Sequence, residues 1–334
     1  MIAKSLSSVI LEKGEENITG RVGLSWIYES MLHWGLAKRV GYRFRRKGNH
    51  RAHSAWAKIS AGVLMLLAGG RCVEDLEYIR VDRGLLNSIG IKTMISSDTL
   101  LRFLGLKRTG SQLKKCVQDA AMLALRDYEG EVLTYDNDAT YFNCNKDCAS
   151  YSYQKEKQMS GLLGHIPELG GICITAQYRP GHVSPAYGIL DELKEAQNLC
   201  KKAGRKLTRF RSDSAAHNLD IFQYCERQKI HYFVSLDKNA TTSREVRGIP
   251  DKRWQDIPDQ AGTQWAEFTH CMARGKKNTL AMRALGLRWK NPDPTLFDQS
   301  PYCYHIIATN DWDIEPLDWL AVHNGRMNSE NYHK

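Results

Sequence analysis

The chain has 334 residues, of which 42% are hydrophobic and 25% charged, a composition typical of folded globular proteins and not of disordered or fibrous ones. No apolar run reaches the ~20 residues that a membrane span requires, and the N-terminal segment becomes acidic too early for a secretory signal. The 47 basic residues outnumber the 37 acidic ones, and the net charge of +10 favours a polyanionic partner, of which nucleic acid is the commonest.

The first 128 residues predict a helical domain, because apolar residues recur at helical intervals and no alternating strand pattern interrupts them. The predicted helices are 25–40, 56–67, 96–106 (with a Ser97/Asp98 cap) and 112–128. A basic cluster between the first two helices, residues 42–51, indicates either a DNA-binding surface or a solvated face, and the composition leaves both open.

From residue 129 the pattern predicts a mixed α/β sheet in the order β-β-β-α-β-α-β, a catalytic core over 129–238. The predicted strands are 130–138, 149–157, 170–181, 205–213 and 231–236, and the helices are 184–204 and 214–230. The first three strands read as an antiparallel meander, and the later two need crossovers and are therefore predicted to be parallel. Residues 239–310 read as a β-rich insertion, and 311–334 as a final helix.

Three acids stand where this sheet would bring them together. Asp138 stands at the end of the first predicted strand, Asp213 at the end of the fourth, and Glu330 on the last helix. Three carboxylates suit Mg²⁺, which prefers hard oxygen ligands. Each also has a plain interpretation, since Asp136 and Asp138 suit a turn, Asp213 a helix cap and Glu330 a solvated helix surface.

The motifs around these acids resemble those of the insertion-sequence DDE transposases of the RNase H-like superfamily. The segments "DNDAT", "YRPGHVSPAYG" and "RFRSDSA" are similar to segments of the insertion sequence 4 group, and within it of the insertion sequence 1380 family. In that group the Asp before Ala-Thr is the ligand, so the resemblance selects Asp138 and leaves Asp136 as its neighbour in a turn. It implies an RNase H-like mixed sheet with a helical N-terminal domain and a β-rich insertion.

The group's final signature is Tyr-x2-Arg-x3-Glu-x6-Lys, and the last helix matches it in part. Arg326 and Glu330 have the expected spacing, whereas His323 stands in the place of Tyr. The Lys would fall three residues beyond Lys334, so the resemblance predicts a chain truncated at its C-terminus. Arg326 and Glu330, four apart, are predicted to share one helix face.

The resemblance implies a transposase that binds the terminal inverted repeats of a mobile element and catalyses DNA cleavage and strand transfer. Asp138, Asp213 and Glu330 would be the catalytic ligands of two Mg²⁺ ions, for which Mn²⁺ could substitute. The residues predicted to contact DNA are Arg326, His323, Arg43, Arg45, Arg46, Lys47 and Arg211. Terminal repeats, target DNA and a second copy of the chain are the expected partners, and no membrane is.

Two alternatives remain at this point. A truncated chain would be an inactive remnant that still binds DNA, and a host RNase H-like nuclease would digest RNA–DNA hybrids instead. His217, one turn after Asp213, suggests a general base, but a structural histidine is the simpler interpretation because two-metal sites need no histidine. Nine cysteines without regular spacing fit reduced thiols, and we predict a cytoplasmic, nucleoid-associated bacterial protein.

Overall fold

A computed structural model describes residues 17–45, 53–258, 260–273, 275, 279–293 and 300–328. Residue contacts divide the chain into two compact units, Met1–Asp119 and Ala120–Lys334. No helix among these residues is long and apolar enough to cross a membrane.

The first unit is helical, as predicted. Its helices are α1 (Val22–His33), α2 (Leu36–Arg43), α3 (Ala55–Leu67), α4 (Leu76–Arg80), α5 (Arg83–Ser88), α6 (Ser97–Leu104) and α7 (Thr109–Asp127), the last of which crosses the boundary between the units. The helix predicted over 25–40 is wrong as a single element, because Gly35 adopts the left-handed conformation (φ +70°) and separates α1 from α2. Ser96, one residue before the predicted cap, accepts the Thr99 amide at the start of α6.

The second unit is a mixed α/β structure. Its strands are β1 (Thr134–Asn143), β2 (Ser150–Tyr151), β3 (Lys157–Ile166), β4 (Ile172–Pro180), β5 (Arg209–Ser212), β6 (His231–Ser235), β7 (Gln255–Asp256), β8 (Thr263–Met272), β9 (Leu280–Lys290) and β10 (Tyr302–Thr309). Its helices are α8 (Ile189–Lys202), α9 (Leu219–Gln228), α10 (Ala240–Arg247) and α11 (Pro316–Asn324).

The central part of the sheet confirms the predicted RNase H-like arrangement. The strand order is β2-β3-β1-β5-β6-β10-β9-β8-β7. Strand β4 also pairs with β3, on the edge opposite to β1. Strand β3 is antiparallel to β1 and β4, whereas β5 and β6 run parallel to β1. The chain therefore uses a meander followed by two crossovers, through α8 and α9.

The second main strand does not lie where the sequence predicted it. Residues 149–156 form only the short β2 and a turn, and the long strand β3 begins at Lys157, the last residue of the predicted strand. Strand β3 could not be predicted from the sequence pattern because it contains Gly161 and Gly164, and glycine is depleted in strands. The structure requires both, because a Cβ at Gly164 would overlap with the Tyr135 hydroxyl and one at Gly161 would lie 2.9 Å from the Phe142 ring.

The β-rich segment 239–310 extends this sheet. Strand β10 pairs antiparallel with β6, and β9, β8 and β7 continue outward from it. The segment also begins with the helix α10, which the sequence pattern did not predict because it indicates only strands and loops there. The Asn239 side chain accepts hydrogen bonds from the backbone amides of Thr241 and Thr242 and so fixes the start of α10.

The two faces of the sheet are covered differently. One face holds the main core, in which α8 and α9 pack on Tyr135, Phe210 and Tyr232. The other face holds a smaller cluster around Trp319 of α11, which packs on Phe233, Leu285 and Ile307. The final helix therefore lies on the face opposite to the main core, and the candidate site lies on that same face.

Candidate active site

Strand register places Asp138 beside Asp213. The parallel ladder between β1 and β5 ends at the pair Asn137–Ser212, and the two acids are the next residues along the chain, Asp138 within β1 and Asp213 directly after β5. Neighbouring strands lie ~5 Å apart, so both acids stand at one position along the sheet edge. Asp138 is not at the end of β1, however, because that strand continues to Asn143 against β3.

The alternation of side chains puts both carboxylates on the face that carries α11. Asp136 and Arg211 contact each other directly on this face, and Asp138 and Asp213 lie two residues further on. Asp213 keeps extended backbone (φ −76°, ψ −168°), so it continues the alternation of β5. Its Oδ1 accepts the Ala215 amide at 2.9 Å, so the helix-cap interpretation of this residue is also realised.

Asp136 is not a turn residue, and that prediction is wrong. It lies inside β1 with 0% of its surface exposed. Both of its carboxylate oxygens accept from Arg211, from Nε and Nη2 at 2.6 Å each. This bidentate pair explains why a charged side chain tolerates the interior of a buried strand.

The last helix brings a basic residue to Asp138. α11 ends at Asn324 and a 3-10 turn, Gly325–Asn328, follows it, so the predicted uninterrupted helix is wrong. Arg326 lies in this turn, with Nη1 3.7 Å from Oδ2 of Asp138. Glu330 lies outside the described residues.

The donor set fits a hard divalent cation. Asp138 and Asp213 are partly exposed carboxylates on neighbouring strands, and Mg²⁺ commonly binds through one or two protein carboxylates, with waters and substrate phosphates completing its shell. Among the described residues no cluster of three or more His, Cys, Asp or Glu side chains could hold a metal.

Two residues predicted to contact DNA are buried where α11 packs on the sheet, Arg211 on β5 and His323 on α11 itself. Arg211 is 7% exposed and is committed to Asp136 and to the Val322 carbonyl. His323 is 6% exposed, and its Nε2 lies 3.1 Å from the Ser235 hydroxyl. Burial, with help from neighbouring His305, lowers the pKa of His323 to about 3, so the ring is neutral at physiological pH.

The basic cluster of the first unit is described only in part. Arg43 donates twice to Asp119, through Nε and Nη2 at 2.7 Å, and is therefore engaged within the helical unit. Arg45 follows α2 and is exposed. Arg46 and Lys47 lie outside the described residues.

His217 occupies a structural position. Its Nδ1 accepts the Asp237 amide at 2.9 Å, and its ring lies 6.1 Å from that of His270. Burial lowers the pKa of His217, against an opposing effect of Asp237. This geometry agrees with the structural interpretation of the residue.

Fold and site together define an α/β protein with two neighbouring carboxylates where the parallel pairing of two central strands ends, which is an arrangement suited to metal-assisted chemistry on phosphates. Residues 3–279 match the family model described as Transposase DDE domain group 1. The chain therefore belongs to the DDE transposase family, and Asp138 and Asp213 lie in the matched part, whereas Arg326 and Glu330 follow it.

No curated protein matches the chain. Among solved structures, the chain is similar to the piggyBac transposase in a synaptic complex with hairpin DNA, determined by cryo-EM. The identity is 13%, and the similarity covers 95% of this chain and 67% of that one, with a TM-score of 0.42.

Proposed function

We propose that this member of the DDE transposase family binds the terminal inverted repeats of a mobile element, cleaves DNA at the element ends and joins the freed ends to target DNA. One observation carries the proposal: Asp138 and Asp213, far apart in sequence, occupy adjacent positions on one face of the sheet. The motifs that contain them favour the insertion sequence 4 group and its insertion sequence 1380 family.

Asp138 and Asp213 would hold the divalent cations, with Glu330 as the third carboxylate. When bound, Mg²⁺ or Mn²⁺ would supply the activation of water and of the 3′-hydroxyl, and would stabilise the leaving oxygen. The two aspartates offer oxygen donors from neighbouring strands of a rigid sheet, which fixes their separation before substrate arrives.

Arg326 would position the scissile strand. Its guanidinium lies beside Asp138, and its Nε is buried without a hydrogen-bond partner among the described residues. A guanidinium in this place can donate two hydrogen bonds to a phosphate next to the cation ligands. Since Arg211 and His323 are occupied in the protein interior, we do not propose that either contacts DNA.

The helical unit would supply affinity for the element ends. Exposed Arg45, with Arg46 and Lys47 beyond it in sequence, would contact phosphates, and the net charge of +10 would attract DNA from a distance. Pairing of two ends favours a homodimer on DNA, in a bacterial nucleoid.

A cleavage assay on duplexes that carry the element ends tests this function, with Mg²⁺ or Mn²⁺ present and gel-shift measurements of binding alongside. We expect strand nicking by the native chain, loss of nicking in Asp138→Asn, Asp213→Asn and Glu330→Gln, and retained binding in all three. Asp220→Asn is the matched control, because Asp220 is an exposed acid in the first turn of α9, a short distance after Asp213.

The outcomes separate the candidate functions. Nicking that survives Asp138→Asn and Asp213→Asn would remove the assigned roles. Salt-sensitive binding by the native chain without any nicking would favour the inactive DNA-binding remnant. Digestion of RNA–DNA hybrids in preference to element ends would favour the host nuclease.

A further inference from the structure

Arg211 joins three elements that meet under the candidate site. From β5 it donates through Nε and Nη2 to Asp136 on β1, and through Nη1 to the Val322 carbonyl of α11, at 2.7 Å. Asp136 is fully buried and Arg211 nearly so, which makes these contacts inaccessible to water. One guanidinium thus links the two catalytic strands to the last helix.

The contact to α11 falls where a helix needs a donor. Val322 lies in the last turn of α11, where carbonyl groups have no amide partner within the helix. A cation at the C-terminal end of a helix also interacts favourably with the helix dipole. Arg211 on β5 therefore caps the C-terminal end of α11, although Arg211 and Val322 lie 111 positions apart in sequence.

Gly325 makes this cap possible. It directly follows α11, with φ −54° and ψ −19°, a conformation that any amino acid adopts readily. A Cβ at this position, however, would overlap with Nη1 of Arg211, the atom that donates to Val322. Glycine is thus required here by the close approach of the guanidinium and not by the backbone angles.

The residue that follows this cap is Arg326, whose guanidinium lies against Asp138. We propose that Arg211 is a positioning residue of the active site: together with Asp136 and Gly325 it fixes the end of α11, and so sets where Arg326 lies relative to Asp138. This inference rests on the proposed function for its catalytic consequence, but the clamp itself is a property of the folded chain.

The clamp acts on the last turn of α11 and not on the docking of the whole helix. Trp319, fully buried in the cluster with Phe233, holds the preceding turn on the sheet. Loss of the Arg211–Val322 bond is therefore expected to loosen residues 322–328 and to leave the sheet and the earlier turns of α11 in place.

Gly325→Ala is the sharpest test, because it displaces the guanidinium from Val322 without removing any charge. Gly105→Ala is the matched control: Gly105 also ends a helix with ordinary angles (φ −71°, ψ −7°), and a Cβ there meets nothing closer than 3.5 Å. Arg211→Lys is the second variant, since an ammonium keeps the charge beside Asp136 but lacks the planar fork that reaches both partners.

Hydrogen–deuterium exchange of the full chain, without metal or DNA, gives the first readout. We expect amides of residues 322–328 to exchange about 10-fold faster or more in Gly325→Ala, with β1 and β5 unchanged and Gly105→Ala like the native chain. In the cleavage assay we expect kcat to fall about 10- to 100-fold at unchanged KM, in Gly325→Ala and in Arg211→Lys alike.

Three results would overturn the inference. Native exchange of residues 322–328 in Gly325→Ala would show that no clamp exists. Faster exchange throughout β1 and β5 would show a general loss of stability in place of a local one. Loosened residues with an unchanged kcat would show that the clamp does not position the site. If the native chain cleaves nothing, the proposed function fails, and the exchange measurement still decides whether the clamp exists.

Discussion

Replacement of Asp136 by Asn tests whether the buried ion pair stabilises the second unit. The substitution keeps the size of the side chain but leaves the Arg211 guanidinium, 7% exposed, without a counter-charge inside the sheet. Removing one partner of a buried pair typically costs about 3–5 kcal/mol, and the retained amide oxygen of Asn places the expected loss near the lower end, about 3 kcal/mol. For a unit of this size that loss lowers the melting temperature by about 6–12 °C.

Urea unfolding and differential scanning calorimetry measure this loss directly. Asp191→Asn is the control. Asp191 is 86% exposed and its Oδ1 lies as far as 4.0 Å from Nζ of Lys194, so this pair is weak and its loss should leave the melting temperature unchanged. Replacing both partners, as Asp136→Leu with Arg211→Met, should recover part of the loss, since no buried charge then remains. A loss below about 1 kcal/mol for Asp136→Asn would refute the claim that this pair is buried and strongly coupled.

Three further predictions follow from local geometry. Gly164→Ala should destabilise the sheet by about 1–3 kcal/mol in urea, because a methyl group there overlaps with the Tyr135 hydroxyl. Burial holds the pKa of His323 at about 3, below its usual 6.5, so the unfolded chain binds the extra proton and stability should fall as pH drops from about 6.5, by at most ~1.4 kcal/mol per pH unit. Arg45→Ala should reduce the salt dependence of DNA binding by about one unit of slope, whereas Arg43→Ala should mainly lower stability.

Each of these has its own control. Gly110→Ala adds a methyl group to α7 where nothing lies within 4 Å, so it should not destabilise. His323→Gln should flatten the stability profile between pH 4.5 and 6.5, and an unchanged profile would contradict the assignment of the proton to that ring. Equal salt slopes for the native chain and Arg45→Ala would remove Arg45 from the proposed DNA surface.

The order of elements could be predicted because amphipathic helices and alternating strands leave clear patterns. Helices α3, α6, α7 and α9 and strands β5 and β6 lie close to their predicted positions. Strand β3 was misplaced because Gly161 and Gly164 are chosen for the space beside them, which depends on side chains from other strands. Packing requirements of this kind have no local signature in a sequence.

The two aspartates of the candidate site could be predicted from the sequence, whereas the burial of the basic residues near them could not. Asp138 and Asp213 follow from the order of strands and from family motifs, and the register agrees. The burial of Arg211 and His323 could not be predicted from composition, since charged and polar side chains are mostly exposed. Their partners, Ser235 and the Val322 carbonyl, are 88 and 111 residues away in sequence.

A signal for the ion pair was nevertheless present in the two motifs. "DND" on β1 and "RSD" on β5 each place two charged residues two apart, which is the period at which strand side chains return to the same face. If two such strands are parallel neighbours, the first members face each other and so do the second. Asp136 then meets Arg211 and is neutralised, while Asp138 and Asp213, one residue beyond the last pair of the ladder, are both carboxylates. Two carboxylates on neighbouring strands, ~5 Å apart, repel each other unless a cation lies between or beside them. The same register that buries one acid safely thus leaves the next pair in need of positive charge, which Arg326 supplies in part and a divalent cation would complete.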